Sequence, residues 1–449
     1  MSALQDNPEL LARLLTAIEM NRLVIFCGAG LSFGVVPTAG QLAAECSIRY
    51  DAKLLPVALP EDIRGDLERL TEFLFAANQK NLFIRELVDW KPFRGVPKKG
   101  HSAVADFLCC HIAEYVVTTN YDELIETAAK AIGEGDPEPS LDAESVAQYR
   151  LHKPLLKIHG TVIDKDHTLW CKTQLRNPRV LDGADRILRA RVFSSLGWLR
   201  ASLLEKDLVF VGFWTDWKYF NELFSNYLKS VHGQSIMLVD PQPSDALKAK
   251  APKLWAWGER HGPNFFHLQE SGDVFLDELR VRFSQNLLQR ALAASMASIP
   301  TAPGEPTAAT GFDGLTADEM YALRRDFSGI PIGEVPRFKR PAGMDAVGRA
   351  HLHLRRRNAQ LEGSLYVLPD FGRIRVINGQ TKLLNEVRSR FASEPPRIPP
   401  VDYVICAGAE DDGNAKTNIV RGGGAGDIIR PGSPAQWLSL PGAHAAGLC

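Results

Sequence analysis

The chain has 449 residues, 45% of them hydrophobic and 23% charged, with a formal net charge of −1 at pH 7. This composition places it among soluble globular proteins with two or three domains, and the charge gives no global argument for nucleic acid or membrane. No stretch reaches the roughly 18 apolar residues of a membrane-spanning helix. Seven cysteines without Cys-x-x-Cys spacing predict neither a disulfide framework nor a zinc ribbon, so we expect a cytoplasmic protein.

The first buried strand ends in a glycine loop. A helical pattern over 8–21 precedes the apolar run 23–26, which stops at Gly28-Ala29-Gly30 followed by Ser32. Glycines let backbone N–H groups approach an anion without a Cβ in the way, so the loop is a candidate phosphate cradle. The alternative is a buried strand that ends in a tight turn. The spacing, which includes Gly34, departs from the dinucleotide pattern GxGxxG.

Four further apolar runs predict strands, at 115–119, 154–158, 208–211 and 235–239. They are separated by helical or long segments, as parallel strands require, so we predict an α/β domain with a Rossmann-like parallel sheet. Helical patterns at 38–50, 61–90 and 102–111 predict a helical insertion, about 38–108, that covers the site. The domain spans 1–296 and closes with a helix over 274–296.

The remainder, 297–449, divides into a linker and a smaller domain. Residues 297–310 are rich in Pro, Ala and Thr and predict a linker. Residues 311–449 predict a C-terminal α+β module, with strands at 364–368, 373–378 and 402–406 and a helix at 381–391. A basic run over 337–357 indicates a solvated face rather than nucleic-acid contact. The glycine-rich stretch 421–426 lacks the strand and helix that a phosphate loop needs, and predicts a loop.

Small or polar residues follow each predicted strand of the first domain, where ligands of parallel sheets bind. Beyond the glycine loop, these candidates are Asn120, Asp122, His159, Gly212 and Asp240. The segment 213–217, FWTDW, can wall a pocket or stack on adenine, although packing and helix capping are the simpler interpretation.

Four of these segments together resemble the sirtuins. Cys27-Gly28-Ala29-Gly30-Leu31-Ser32 resembles their GAGxS signature, 118–122 (TTNYD) their TQNID segment, His159-Gly160 their catalytic HG, and Val211-Gly212 their strand-end GxS. Two features of deacylating sirtuins are missing, the loop of the form GIPxFR and the two pairs of zinc-binding cysteines. The combination is similar to the sirtuin-like NAD hydrolases of bacterial antiphage systems.

The resemblance implies an NAD glycohydrolase that releases nicotinamide and ADP-ribose and acts as a defence effector by depleting NAD. NAD is then the substrate, no metal is expected, and the protein forms a homo-oligomer that a partner ATPase or sensor controls. Asn120 would orient a water or ribose hydroxyl, and His159, with an ordinary imidazole pKa near 6.5, would take its proton. The residues that we expect to bind NAD are Gly28, Ala29, Gly30, Ser32, Asp122, Gly212 and Asp240.

Simpler roles remain open for three of these residues. His159 can be a structural hydrogen-bonding residue, Asp122 can cap the helix that begins near 123, and Asp240 before a proline can form an ordinary turn. Two other functions also remain open. One is a protein deacylase or ADP-ribosyltransferase that uses the same pocket, and the other is a non-catalytic NAD or ADP-ribose sensor that gates a partner ATPase.

Overall fold

The computed structural model describes residues 4–133, 139–140, 155–176, 183–213, 218–296, 312, 314–334, 343–395, 399–412 and 435–449. These residues form two compact units, Met1–Leu279 and Arg280–Cys449. The division falls within a helix that the sequence assigns entirely to the first domain. Within the described residues, no helix combines the length and hydropathy that a membrane crossing requires.

The first unit is built on a parallel sheet, as predicted. Its strands are β1 (Leu23–Cys27), β2 (Tyr115–Thr118), β3 (Pro139–Ser140), β4 (Leu155–Lys157), β5 (Asp207–Val211), β6 (Ser235–Val239) and β7 (Phe265–Leu268). Their order is β3-β4-β2-β1-β5-β6-β7, and every neighbouring pair runs parallel. The five predicted strands are confirmed, whereas the short edge strands β3 and β7 are not predicted.

The central strand β1 is apolar because both of its faces are covered. All five of its residues are buried. Phe26 stacks on Phe210 of β5 with ring centroids 4.5 Å apart and meets Phe224 edge-on. Burial of such side chains stabilises a sheet by roughly 1.5–3 kcal/mol each. A strand covered on two faces loses polar alternation, and this is why the run was visible in the sequence.

Helices flank this sheet and also form the segment between β1 and β2. They are α1 (Pro8–Glu19), α2 (Ala39–Asp51), α3 (Leu67–Ala76), α4 (Lys80–Leu82), α5 (Lys99–Cys109), α6 (Leu124–Ala131), α7 (Gly183–Ser202), α8 (Lys218–Leu228), α9 (Ser244–Lys250), α10 (Pro252–Glu259) and α11 (Gly272–Met296). A continuous helix over 61–90 is wrong. Asn78 has a φ of 60°, which ends α3, and a π-helical turn, Phe83–Leu87, follows α4.

The helices between β1 and β2 share one apolar core with two loops of the sheet. Trp170 packs edge-on against Phe83 at 5.0 Å and stacks on Tyr121 at 4.6 Å. The Tyr121 hydroxyl donates a hydrogen bond to the Leu169 carbonyl oxygen. The helical segment is therefore packed on Tyr121, the residue that follows Asn120.

The second unit is a smaller α+β structure, as predicted. Its strands are β8 (Gln360–Glu362), β9 (Leu365–Leu368), β10 (Gly372–Asn378), β11 (Tyr403–Ala407) and β12 (Gln436–Ser439). Their order is β12-β11-β10-β9-β8; β10, β11 and β12 are parallel, and the two hairpin pairs are antiparallel. The helices with separate bounds in this unit are α12 (Ala317–Ser328), α13 (Met344–Arg356), α14 (Leu384–Phe391) and α15 (Leu440–Ala445).

A buried ion-pair network ties β10 to the helices of this unit. The Arg375 guanidinium donates to both carboxylate oxygens of Asp326, at 2.6–3.1 Å, and to Glu394 at 2.8 Å. In the basic run, Arg349 pairs with Asp345 at 3.3 Å and the Arg355 guanidinium lies over the Phe312 ring. The predicted linker 297–310, residues 214–217 of the FWTDW segment, residues 337–340 of the basic run and the glycine-rich stretch 421–426 lie outside the described residues, whereas Phe213 is buried against Phe26.

Candidate active site

The glycine loop lies where the strand order of the first sheet reverses. From β1 the chain proceeds to β2 on one side, and it returns to β5 on the other side only after β4. In parallel sheets, ligands bind beyond the carboxyl ends of the strands at such a reversal, so the loops that follow β1 and β5 border the candidate site. The loop after β1 carries Gly28 to Ser32, and the loop after β5 begins at Gly212.

The glycines of these two loops are in close backbone contact. The Gly28 N–H donates to the Val211 carbonyl oxygen and the Gly30 N–H to the Gly212 carbonyl oxygen, both at 3.0 Å. A Cβ on Gly28 would lie 2.4 Å from the Gly212 oxygen, and one on Gly30 would lie 2.6 Å from the Gly212 Cα. Glycine is required here because two backbones touch. Among the described residues, the exposed Ala29 has an N–H that makes no hydrogen bond to the protein.

The Ser32 hydroxyl is the centre of a buried hydrogen-bond network. Its Oγ donates to Asp122 Oδ2 at 2.8 Å and accepts from Asn120 Nδ2 at 3.0 Å. His101 Nε2 lies 3.1 Å from the same oxygen. The Lys98 backbone N–H donates to His101 Nδ1 at 3.0 Å, so in the neutral ring the proton is on Nε2 and is donated to Ser32. The hydroxyl therefore has its proton and both lone pairs engaged.

This arrangement excludes a serine nucleophile activated by histidine. Ser32, His101 and Asp122 are the residue types of a hydrolase triad, but there the histidine accepts the serine proton and the aspartate holds the far side of the ring. Here His101 donates to the serine, and Asp122 contacts the serine rather than the ring. Burial also lowers the pKa of His101, which keeps the ring neutral. The trio is a positioning network.

Asn120 offers one open acceptor. Its Nδ2 donates to the Gly28 carbonyl oxygen at 3.1 Å and to Ser32 Oγ, and its backbone N–H donates to Thr118 Oγ1 at 3.1 Å. Because the Gly28 oxygen can only accept, the atom beside it is the amide nitrogen. Within the part of the chain that the structure describes, no group donates to Asn120 Oδ1. This oxygen is available to a water molecule or a ribose hydroxyl.

His159 lies beside the same loop and is neutral. It follows β4, is 3% exposed, and its ring is hydrogen-bonded to the Thr119 backbone. Burial lowers its pKa to about 3, and that hydrogen bond opposes the shift. The ordinary imidazole pKa near 6.5 that we expected from the sequence therefore does not hold, because desolvation disfavours the imidazolium. At neutral pH the ring is an unprotonated, weakly basic group.

The two aspartates occupy the structural positions that the sequence left open. Asp122 Oδ1 accepts a hydrogen bond from the Leu124 N–H at 3.2 Å, at the first turn of α6. Asp240 follows β6 and its Oδ1 accepts from the Gln242 N–H at 2.9 Å, which closes a turn. Both side chains are buried, with exposures of 4% and 7%. Their predicted contacts with NAD stay predictions.

Two functional candidates, Lys157 and His101, were missed in the sequence. Lys157 in β4 is 1% exposed; its Nζ lies 2.6 Å from Glu126 Oε1 and donates to the Asp122 carbonyl oxygen. A lysine inside an apolar strand was a usable signal, since a buried charge needs a partner. Nothing in the sequence distinguishes His101 from a histidine that packs in a helix face. Both residues support the segment that carries Asn120.

Comparison with known sequences gives a match in the part of the chain that carries most of the site candidates. Residues 114–259 match the sequence profile described as a SIR2-like domain. The matched range holds Asn120, Asp122, His159, Gly212 and Asp240, whereas the glycine loop lies before it. The chain matches no curated protein sequence significantly.

Solved structures to which the chain is weakly similar include complexes of Sir2 homologues. A mutant Sir2 homologue bound to ADP-ribose is 14% identical, with a TM-score of 0.33, and covers 61% of this chain and 97% of its own. A Sir2 homologue–NAD complex is also 14% identical, with a TM-score of 0.31, and covers 60% of this chain and 91% of its own. Any ligand of this chain therefore has to be argued from its own residues.

Proposed function

We propose that this protein is an NAD glycohydrolase, which cleaves NAD to nicotinamide and ADP-ribose. The observation that carries the proposal is the open side-chain oxygen of Asn120 at the reversal of strand order. Its direction is fixed because the amide nitrogen of the same side chain donates to Ser32 and Gly28. The segments that carry Asn120 and His159 lie within the range that matches the SIR2-like domain. In parallel sheets of this kind, dinucleotides bind beyond the carboxyl ends of the strands, at the reversal of strand order.

The reaction needs little more than a positioned water molecule. The bond between ribose C1′ and the pyridinium nitrogen breaks, nicotinamide leaves as a neutral molecule, and the ribose becomes an oxocarbenium-like cation. Water attacks C1′ and loses one proton. Asn120 Oδ1 would accept a hydrogen bond from this water or from a ribose hydroxyl and fix its direction. The His159 ring is neutral but weakly basic, so it would accept the proton only as the water bonds to C1′ and becomes strongly acidic.

Several features support hydrolysis over transfer to a protein. The segment after Ser32 has no arginine of the GIPxFR type, and two pairs of zinc-binding cysteines are absent from the sequence. The Ser32 hydroxyl is engaged in three hydrogen bonds and is not a free nucleophile.

We further propose the biological setting that the motif resemblance implies. The enzyme would act in the cytoplasm as an effector of antiphage defence and deplete NAD. It would form a homo-oligomer, with the second unit as the regulatory or partner-binding module and with a partner ATPase or sensor as the trigger.

The test is NAD turnover by the purified protein, with and without the candidate partner, with products resolved by chromatography. Asn120→Ala and His159→Ala should abolish nicotinamide release. His261→Ala is the matched control, because His261 bonds to the Gly233 N–H at 3.3 Å, before β6 and away from the carboxyl edge. Release that survives both substitutions refutes the assigned mechanism. Turnover that requires an acylated peptide points to a deacylase, and binding without turnover in any activated state points to a sensor.

A further inference from the structure

We propose that His101 is a positioning residue for NAD cleavage, which acts through Ser32 to fix the side-chain amide of Asn120. The proposal rests on the proposed function for its chemistry and on the network described above for its geometry. His101 lies in α5, outside the range that matches the SIR2-like domain and outside the motif segments of the sequence. It is fully buried.

Both ring nitrogens of His101 are committed. Nδ1 accepts the Lys98 backbone N–H at the start of α5, which fixes the ring against its own helix. Nε2, 3.1 Å from Ser32 Oγ, then carries the ring proton. A histidine whose acceptor is held by the backbone is a fixed donor, with one tautomer and one orientation.

The hydrogen bond from His101 determines which hydrogen bonds Ser32 can make to Asp122 and Asn120. A hydroxyl has one proton and two lone pairs. Ser32 Oγ accepts a hydrogen bond from His101 on one lone pair and donates its own proton to Asp122. Its second lone pair accepts from Asn120 Nδ2. The second Nδ2 proton bonds to the Gly28 oxygen. The amide plane of Asn120, and with it the direction of Oδ1, is therefore set by two acceptors that cannot turn.

Loss of the His101 donor would leave a lone pair of a buried hydroxyl unfilled. Ser32 could then rotate, and Asn120 would retain only the Gly28 oxygen as a fixed acceptor. Because the His101 ring is fully buried and bonds to Ser32 and Lys98, we expect the effect to fall on the oriented step rather than on binding. We expect kcat to fall about 10- to 30-fold, with KM changed less than about threefold; losses of this size correspond to one misplaced hydrogen bond.

Two conservative variants separate this role from packing. In His101→Gln the amide nitrogen occupies the region of Nε2 and can still donate to Ser32, so kcat should return to within about threefold of the parent protein. In His101→Asn the amide reaches only the region of Nδ1, so the contact with Lys98 can persist while the donor to Ser32 is lost. Thermal melting of both variants identifies any loss of folding. Equal losses of kcat in two folded variants would refute the proposal.

A double-mutant cycle tests whether His101 acts through Ser32. Ser32→Ala alone removes the central hydroxyl, so adding His101→Asn to it should lower kcat by less than about twofold more. Full multiplication of the two effects would mean that His101 acts by another route, which would overturn the inference.

A measurement without turnover distinguishes this inference from the proposed function. In protein labelled with ¹⁵N at histidine and asparagine, the His101 ring should show the Nε2–H tautomer, and the Asn120 side-chain amide should exchange slowly. His101→Asn should accelerate that exchange at least tenfold, and His101→Gln should not. Unchanged exchange in His101→Asn would refute the positioning role. A protected Asn120 amide in a parent protein that leaves NAD intact would refute the glycohydrolase and retain the network.

Discussion

Replacing Lys157 by methionine should destabilise the first unit strongly. Methionine keeps the length of the side-chain stem but removes the ammonium that lies 2.6 Å from Glu126 Oε1 and donates to the Asp122 carbonyl oxygen. Glu126 is 5% exposed, so water cannot take over from the lysine. Removing one partner of such a buried pair costs about 3–5 kcal/mol. A typical domain has about 5–15 kcal/mol in total, so the variant should fold but unfold at much lower urea.

Two matched variants separate the pair from its packing. Glu126→Leu in the Lys157→Met background removes the carboxylate that has lost its buried partner. Most of the lost free energy of unfolding should return, because apolar replacements of buried ion pairs are well tolerated. Glu126→Gln alone should cost less than Lys157→Met. The assay is urea unfolding followed by tryptophan fluorescence and circular dichroism.

The pH dependence gives a second check with a defined sign. Burial raises the pKa of Glu126, and the Lys157 ammonium opposes that shift, so its removal raises the pKa further. A carboxyl with a raised folded pKa is most favourable below its unfolded pKa and loses that contribution as pH rises. The deficit of Lys157→Met should therefore shrink on acidification from pH 7.5 to pH 5.5, by up to about 1.4 kcal/mol per pH unit. A deficit under about 1 kcal/mol, or one that grows on acidification, would refute the buried pair.

Three further predictions concern other parts of the chain. Gly28→Ala would bring a Cβ within 2.4 Å of a carbonyl oxygen, so we expect a loss of about 1–3 kcal/mol or more in urea unfolding together with loss of NAD cleavage, and full stability would contradict the close contact. Burial lowers the pKa of His101, His159 and His351, so the unfolded chain binds more protons than the folded one below about pH 6.5. The free energy of unfolding should therefore fall on acidification, by up to about 1.4 kcal/mol per pH unit for each histidine. A free energy of unfolding that does not change with pH would argue against neutral buried rings. Arg375→Met leaves two buried carboxylates uncompensated and should destabilise the second unit by about 3–5 kcal/mol in the full-length protein, measured by hydrogen exchange at β10; exchange equal to that of the parent would contradict the network.

The central fold was predictable because its strands are covered on both faces. Burial on two sides selects continuous apolar runs, and each of the five runs ends within about two residues of its strand. The two-residue strand β3 and the half-exposed β7 lack this signal, since an edge strand needs little apolar surface. The segment after α2 was correctly predicted to be helical, but the positions at which its helices end were not predicted. A positive φ at Asn78 is set by packing and not by the residue type alone.

The residues of the site were predictable in location but not in bonding. The motif order indicated that Asn120, His159 and the glycine loop belong together, because carboxyl ends of parallel strands meet at one edge. It could not indicate that the N–H groups of Gly28 and Gly30 would bond to the loop after β5. Hydrogen-bond partners across a sheet depend on the register of two distant strands, and a single sequence does not record that register.

Under the proposed function, the hydrogen bonds already made within this loop affect how the site would bind NAD. A phosphate cradle of free N–H groups would order on ligand binding and would depend on salt. Here the Ser32 hydroxyl and the Gly28 and Gly30 N–H groups are satisfied by the protein, and Ala29 has an exposed N–H that makes no hydrogen bond within the described residues. The glycines then contribute by letting the backbones of the two loops touch, and the hydrogen bonds contribute by holding the Asn120 side chain in place. A site preorganised in this way favours the oriented chemical step over tight binding, which is the balance that an NAD hydrolase requires and a sensor does not.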